Sequence, residues 1–425
     1  MQKIINDLWY ARRDLISDGF DSALNYISEL IPLSIIEIPT GTECWTWIVP
    51  PKWSLSEGWI SNGGEIVLDV SDHPLHVMSY SQPIRKRIKK EELMAHIYTY
   101  PERPNAIPFG FSYYENNWKF CIQHNKLAEF REDNYDICID AKFTEGTLKV
   151  GELVIPGKSK QEIALIAHLC HPSMANDNLS GVAVLIETAL ELLKQSQNKY
   201  TYRFLFLPEA IGSLAYLSQN EYLIPSIKYA IIVDSVGHND VLSLQHSRQA
   251  NTELDICASY VFKDETLMYR EGAINKICGS DERIFNGPGV DIPSICISRF
   301  KFMGKGGWPY PEYHSSDDIP DIIIIDNLVE TKNIIIKMLD ILNKNYVPKR
   351  NFKGPICLSR YGLWVDSNKD RRLSLSLSDI MSSLEGDKSV LEIAKEVGIS
   401  FSDLFVWLDK LHKENLLRRQ SGVPD

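Results

Sequence analysis

The spacing of apolar positions divides the chain into stretches of different texture. Over residues 1 to about 35 apolar side chains recur at helical spacing and predict two amphipathic helices broken near Gly19. From about 38 to 130 prolines and aromatics interrupt short β-like runs. These include Trp45-Thr46-Trp47-Ile48-Val49, residues 64–70, and residues 113–122, and they predict a small β-rich module. From about 135 the pattern becomes strand, helix, strand, helix. Ile163-Ala164-Leu165-Ile166-Ala167 is apolar without alternation, as a parallel strand buried on both faces should be. Phe204-Leu205-Phe206-Leu207, Ala230-Ile231-Ile232-Val233 and Ser294-Ile295-Cys296-Ile297-Ser298 repeat it, while residues 182–193 and 321–346 carry helical period. The prediction is an α/β fold, a mixed sheet flanked by helices, with its chemistry at the carboxyl ends of the strands. Past about 360 the texture changes again. Residues 388–395 and 401–414 predict two helices, with Gly398 in the turn between them and Ser400 as N-cap, a helix-turn-helix pattern.

A chain of 425 residues is long enough for two or three domains. No uninterrupted apolar run approaches bilayer length, and polar residues stand near the start where a signal peptide needs an apolar core, so a cytoplasmic location is expected. Eight scattered cysteines without Cys-x-x-Cys spacing argue against a zinc ribbon and fit buried thiols in a reducing compartment. A net charge of −11 argues against a whole-protein role on nucleic acid.

Candidate chemistry clusters just after the predicted strands. His168 and His171 follow the first of them, and Asp177 comes six residues later at a helix entrance. Imidazole nitrogen and carboxylate oxygen are the donors zinc takes in a roughly tetrahedral shell. A single histidine in such a place is ordinarily structural; two followed by a carboxylate point to ligation. Glu209 follows Pro208 and reads as a general base beside metal-activated water, or as a carboxylate at a helix start. Asp234 ends another strand and reads as a ligand or a loop cap. His314 lies in a polar, aromatic loop over residues 306–318. There Asp317 or Asp318 could steady the imidazole or cap the next helix. Asn178 could orient the loop or a substrate amide. Arg299, Tyr310 and Tyr313 are candidates for substrate contacts, with a surface salt bridge as the bland reading of Arg299.

In this order the groups resemble the zinc aminopeptidases of the M28 type. They are closer still to bacterial aminopeptidase-like relatives with an inserted β-domain and a C-terminal winged helix. The family's Asp-Asn-x-Ser-Gly is matched by Asp177-Asn178-Leu179-Ser180-Gly181, its later aspartate by Asp234, and its final Tyr-His by Tyr313-His314. Ser280-Asp281-Glu282-Arg283-Ile284-Phe285 echoes a Ser-Asp-x-x-x-Phe segment. The resemblance implies a zinc-exopeptidase-like catalytic domain over 1–37 and 131–350, an inserted β-rich domain over 38–130 and a winged helix-turn-helix over 351–425. It also implies one or two zinc ions, with one preferred, and hydrolysis of a small peptide or aminoacyl amide.

Two departures matter. Glu209 matches the family's general base, but Ala210 replaces the adjacent ligand glutamate. Cys170 stands where the usual His-x-Asp has its aspartate, so either His168 or His171 fills the histidine position. His171 is preferred, because Pro172 stiffens its turn and Asp177 is nearer in sequence. Ala210 also sustains an alternative, a degenerate peptidase fold that binds a small amino compound, with a regulatory role. Residues 351–425 balance 11 Lys or Arg against 11 Asp or Glu, so DNA binding is not expected. The β-rich insertion offers a surface for pairing subunits, and a homo-oligomer is expected.

Overall fold

A computed structural model describes residues 1–195, 197–301, 308–368 and 371–420. The described chain divides into two compact units, Met1–Thr252 with Met268–Asn333, and Glu253–Leu267 with Ile334–Asp425.

The first unit is built on a mixed eight-stranded sheet. In chain order its strands are β1 (Ser34–Pro39), β2 (Thr147–Ile155), β3 (Glu162–His168), β4 (Thr201–Leu207), β5 (Ile227–Asp234), β6 (Leu242–Gln245), β7 (Tyr269–Gly272) and β8 (Ser294–Ser298). Their spatial order is β1-β2-β4-β3-β5-β8-β6-β7. The centre, β4-β3-β5-β8, is parallel throughout. Every residue of β3 and β8 is buried, which explains why those segments lack polar alternation. Because these four strands run the same way, His168, Leu207, Asp234 and Ser298 all end at one edge of the sheet. That common edge brings residues far apart in sequence together.

Helices Gly181–Leu192 and Ile211–Gln219 follow β3 and β4. At the start of the chain, helices Gln2–Leu8 and Asp18–Leu30 are separated by residues 9–17 rather than broken at Gly19. Ser17 caps the second helix, accepting from the Phe20 N–H at 3.1 Å. Gly19 lies inside that helix, at a position where a Cβ would stand 2.1 Å from the Arg12 carbonyl oxygen.

The β-rich insertion contains a four-stranded antiparallel sheet in the order Glu65–Asp69, Lys52–Asn62, Asn134–Thr144, Ile84–Lys89. Asn134–Thr144 extends this sheet past the boundary at 130 expected from composition. Trp53, Ile60, Ile88, Tyr135, Ile137 and Ile139 supply buried apolar side chains along its strands.

The second unit holds helices Glu253–Glu265, Arg371–Ser382, Val390–Val397 and Phe401–Lys413, together with the end of the long helix Ile325–Lys344. Ser389 and Glu392 form a capping box, Gly398 is left-handed with φ 70°, and Ser400 accepts from the Asp403 N–H. Leu417–Gln420 pairs antiparallel with Val347–Arg350, so the strand after the helix Phe401–Lys413 returns to the segment that follows the long helix. Among the described residues no helix is long and apolar enough to cross a membrane.

Candidate metal centre

Two consecutive features of backbone present the first pair of side chains. His168 is the last residue of β3, and the chain then turns through His171, whose φ of 83° is left-handed. A non-glycine residue is held there only by its surroundings. Arg13 does much of that holding. Its buried guanidinium donates to the carbonyls of Leu169 (2.9 Å) and Met174 (2.9 Å), one on each side of His171, and to those of Leu8 and Trp9. Replacing Arg13 by methionine would take a donor from four carbonyls, of which that of Leu8 keeps the Ala11 N–H. A loss of roughly 3–5 kcal/mol is expected on that basis. Urea unfolding measures it, and a loss under about 1 kcal/mol would show that the turn is held by other means.

Asp318 holds the next segment. It accepts from the backbone N–H groups of Ala175 (3.2 Å), Asn176 (2.6 Å) and Asp177 (3.1 Å), and from the Tyr310 hydroxyl (2.8 Å). It therefore steadies the loop that carries Asp177 rather than the imidazole of His314. Asn178 is a brace as well. Its Nδ2 donates to the Val233 carbonyl (2.8 Å), and its Oδ1 accepts from Gly181 (3.1 Å) and Ser235 (3.0 Å), tying the loop to the end of β5.

Glu209 sits on a three-residue turn after β4. Ala210 has φ 57° and ψ −67°, and the Ile211 N–H donates to the Glu209 carbonyl at 2.7 Å, a γ-turn of the strained positive-φ kind. The Ala210 N–H donates to Asp281 Oδ1 (2.9 Å), which also accepts from Ser213 Oγ (2.7 Å). The Ser-Asp echo at Ser280-Asp281 thus has a structural purpose, which is to hold the strained turn that presents Glu209.

Six of the expected residues converge. His168 Nε2 lies 2.8 Å and His171 Nδ1 3.5 Å from Asp177 Oδ1. His314 Nε2 lies 3.1 Å from Asp177 Oδ2, and His171 Nε2 lies 3.6 Å from Glu209 Oε2. Asp234 joins through His168: donor atoms of His168, Glu209 and Asp234 stand within 4.8 Å of one another, as do those of His168, His171 and Asp177. Both histidines left open by the sequence therefore adjoin Asp177. The Gly306-Gly307 start of the loop before His314 lies outside the described residues.

Three expected substrate contacts point elsewhere. Arg299 is buried, donating to the carbonyls of Val236 (3.0 Å) and Asp240 and to Glu330. Tyr310 is buried against His238, its ring stacked at 4.4 Å and its hydroxyl spent on Asp318. Asn178 has its amide engaged as above. Tyr313 stays close, its ring stacked on His314 at 3.8 Å.

Charge in the cluster is finely divided. Burial pulls His168 down, but Asp234, Glu209 and Asp177 outweigh it and hold the imidazole up at about 10. Burial pushes His171 down to about 3. Burial also works to raise Asp177, yet the surrounding imidazoles keep it well below the usual carboxylate range. Glu209 is pushed up to about 8 by burial and by Asp281, Asp234 and Asp177 against the pull of His168, and Asp234 to about 6, chiefly by burial.

Whether a cation fits can be read from two atoms. Asp177 Oδ2 and His314 Nε2 are buried and, among the described residues, have no hydrogen-bond partner, although they lie 3.1 Å apart. Two ligands at zinc's usual bond lengths of about 2.0–2.1 Å on a tetrahedral ion stand about 3.3 Å apart. Orphaned atoms at that separation, with imidazole and carboxylate neighbours, suit a divalent ion better than a hydrogen bond.

The model of a domain family of unknown function, DUF4910, matches residues 2–345. The chain belongs to that family. A relative of this DUF4910 protein in Clostridium acetobutylicum is 32% identical over 98% of this chain and 95% of its own length. It carries the provisional name of a polysaccharide biosynthesis protein with an aminopeptidase-like domain. A crystal structure from Clostridium acetobutylicum, provisionally called a peptidase, superposes with a TM-score of 0.88 at 31% identity, covering 99% of this chain and 96% of that one. The zinc aminopeptidase of Bacillus subtilis shares the fold with a TM-score of 0.61 at 15% identity, over 80% of this chain and 93% of its own. The aminopeptidase-like fold expected from the motifs is thereby shown, as is the mixed sheet with flanking helices.

Side chains from the insertion escaped sequence reading. Phe109 packs edge-on against both His171 and His314, each at 5.1 Å between centroids, and its N–H donates to the His314 carbonyl at 2.7 Å. Arg103 donates to the carbonyls of Pro311 and Tyr313 and stacks on Trp308. Nothing local marks these residues, because their partners lie some sixty to two hundred positions away.

Proposed function

We propose that this DUF4910 protein is a metal-dependent hydrolase, a zinc aminopeptidase that removes an N-terminal residue from a small peptide or cleaves an aminoacyl amide. The observation that carries this reading is the Asp177 carboxylate, with imidazoles at both oxygens and Glu209 facing one of them. His171 and His314 with Asp177 would hold one ion, and His168 and Asp234 with the same carboxylate supply donors for a second. His171 then stands in for the ligand that Ala210 cannot provide. When bound, a zinc ion supplies Lewis acidity to a substrate carbonyl and to water.

The chain's own groups account for proton movement. Glu209 has a side chain 30% exposed, open enough to meet water, and its raised pKa makes its carboxylate form a stronger base. Its Oε2 takes the proton of the attacking water as the C–O bond forms and delivers it to the amide nitrogen as the C–N bond breaks. The presence of this base beside the cluster favours hydrolysis over binding alone. The decisive experiment is metal analysis of the purified protein with an aminoacyl-amide panel, before chelation, after it, and after zinc is restored. Turnover that follows zinc supports the proposal. Stoichiometric metal without any turnover would leave the non-cleaving alternative.

A pH signature accompanies metal binding. The folded pKa values of Asp234 and Glu209, about 6 and about 8, lie above those of the unfolded chain, about 3.9 and 4.3. Their stabilising protons are fully held below the unfolded values and lost as pH rises through 6 and 8, so the chelated protein loses stability over that window. A cation competes with those protons. Zinc is therefore expected to raise the melting temperature more at pH 8 than at pH 5.5, read by differential scanning fluorimetry. Equal shifts at both would contradict the assignment.

A further inference from the structure

Three aromatic rings of the insertion touch one another in turn, beginning at the cluster. Phe109 touches both His171 and His314. Phe111 tilts against Phe109 at 5.9 Å and stacks on Tyr113 at 4.6 Å and 14°. Tyr113 is braced edge-on by Tyr80 at 5.1 Å. Phe111 nevertheless remains 49% exposed. A phenylalanine fixed between two rings but left half in water forgoes burial that folding ordinarily secures. Residues 106–114 contain no charged side chain. The rings therefore form a surface built from an uncharged segment, which begins at two of the candidate ligands and reaches solvent at Phe111.

We propose that Phe109, Phe111 and Tyr113 form the subsite for the substrate's N-terminal side chain and select aromatic or large apolar residues there. This rests on the aminopeptidase reading above, since an amide carbonyl at the cluster places the adjoining side chain within reach of Phe109. Continuity with the imidazoles ties the occupant to the reacting group. The absence of charge from the segment disfavours acidic and basic side chains, whose desolvation would go uncompensated. Offset stacking on Phe111 supplies selectivity beyond simple burial.

The test compares phenylalaninamide with alaninamide in the zinc-loaded wild type, Phe111→Ala and Phe111→Tyr. Wild type is expected to prefer phenylalaninamide. Phe111→Ala should reduce that preference in kcat/KM about tenfold, and Phe111→Tyr, which keeps the ring, should restore most of it. An unchanged preference in Phe111→Ala would overturn the proposal. Calorimetric binding of phenylalaninamide separates this failure from failure of the hydrolase reading. If no amide is cleaved but Phe111→Ala weakens binding about tenfold, the subsite stands without the chemistry. Equal binding to wild type and Phe111→Ala removes it. Phe111-dependent binding of a methyl glycoside in place of the amide would overturn it in favour of a sugar platform.

Discussion

Glu209→Gln is expected to lower kcat for aminoacyl-amide hydrolysis by about 10²- to 10⁴-fold, the usual contribution of a positioned general base. Glutamine keeps the size of the side chain and cannot accept and return a proton. The turn around it should survive, because its supports are largely backbone. The Glu209 N–H donates to Cys170 Sγ (3.2 Å), the Ile211 N–H to the Glu209 carbonyl, and the Ala210 N–H to Asp281. Bound zinc should therefore remain near the wild-type amount. This second measurement is needed, because Glu209 also stands within ligand distance of His168 and Asp234. A variant that loses metal along with activity would make Glu209 a ligand. One that keeps more than about a third of the rate would remove it from proton transfer altogether.

Asp177→Asn should do greater damage to the site. Three imidazoles converge on this one buried carboxylate, and each of its oxygens faces at least one of them. Loss of its charge weakens the donor shared by both of the proposed ion positions. Zinc affinity is expected to fall by more than about 100-fold, beyond what loss of a supporting group ordinarily costs. Isothermal titration or competition with a chromophoric chelator measures it, and activity should vanish with the metal. The chelated protein should suffer as well. His168 is held up at about 10 in part by Asp177, and a raised imidazole contributes stability that is full below about 6.5 and lost as pH rises through its folded value. At pH 7 most of that contribution is still in force, so breaking the buried pair is expected to cost about 3 kcal/mol. Wild-type zinc affinity in the variant would show that the ions do not share Asp177.

Around these two residues, local sequence determines some features of the site and not others. The unalternating strands at 163–167 and 294–298, the carboxylate at the end of β5 and the histidine after the aromatic loop all follow from local pattern, because burial on both faces and placement at a strand end leave a local trace. The choice between His168 and His171 does not. The two sit on opposite sides of a single turn, and either could reach a ligand position. Only the Arg13 clamp on the carbonyls around His171 and the position of Asp177 bring both imidazoles to one carboxylate. Arg299 and Tyr310 show the converse case. Each has the chemistry of a substrate contact, yet carbonyls, Glu330 and Asp318 already occupy their polar atoms. No count of residue types could anticipate that.

The identities and order of the reactive groups, and the buried parallel strands that carry them, were determined by the sequence alone, since apolar runs specify strands and parallel strands align their carboxyl ends. Which side chains face the cluster, which merely brace it, and that Phe109 and its neighbours form one wall were decided only by the tertiary structure. The reason is physical. Those outcomes depend on contacts between segments up to two hundred residues apart, and on competition for buried hydrogen bonds that exists only once the chain is packed.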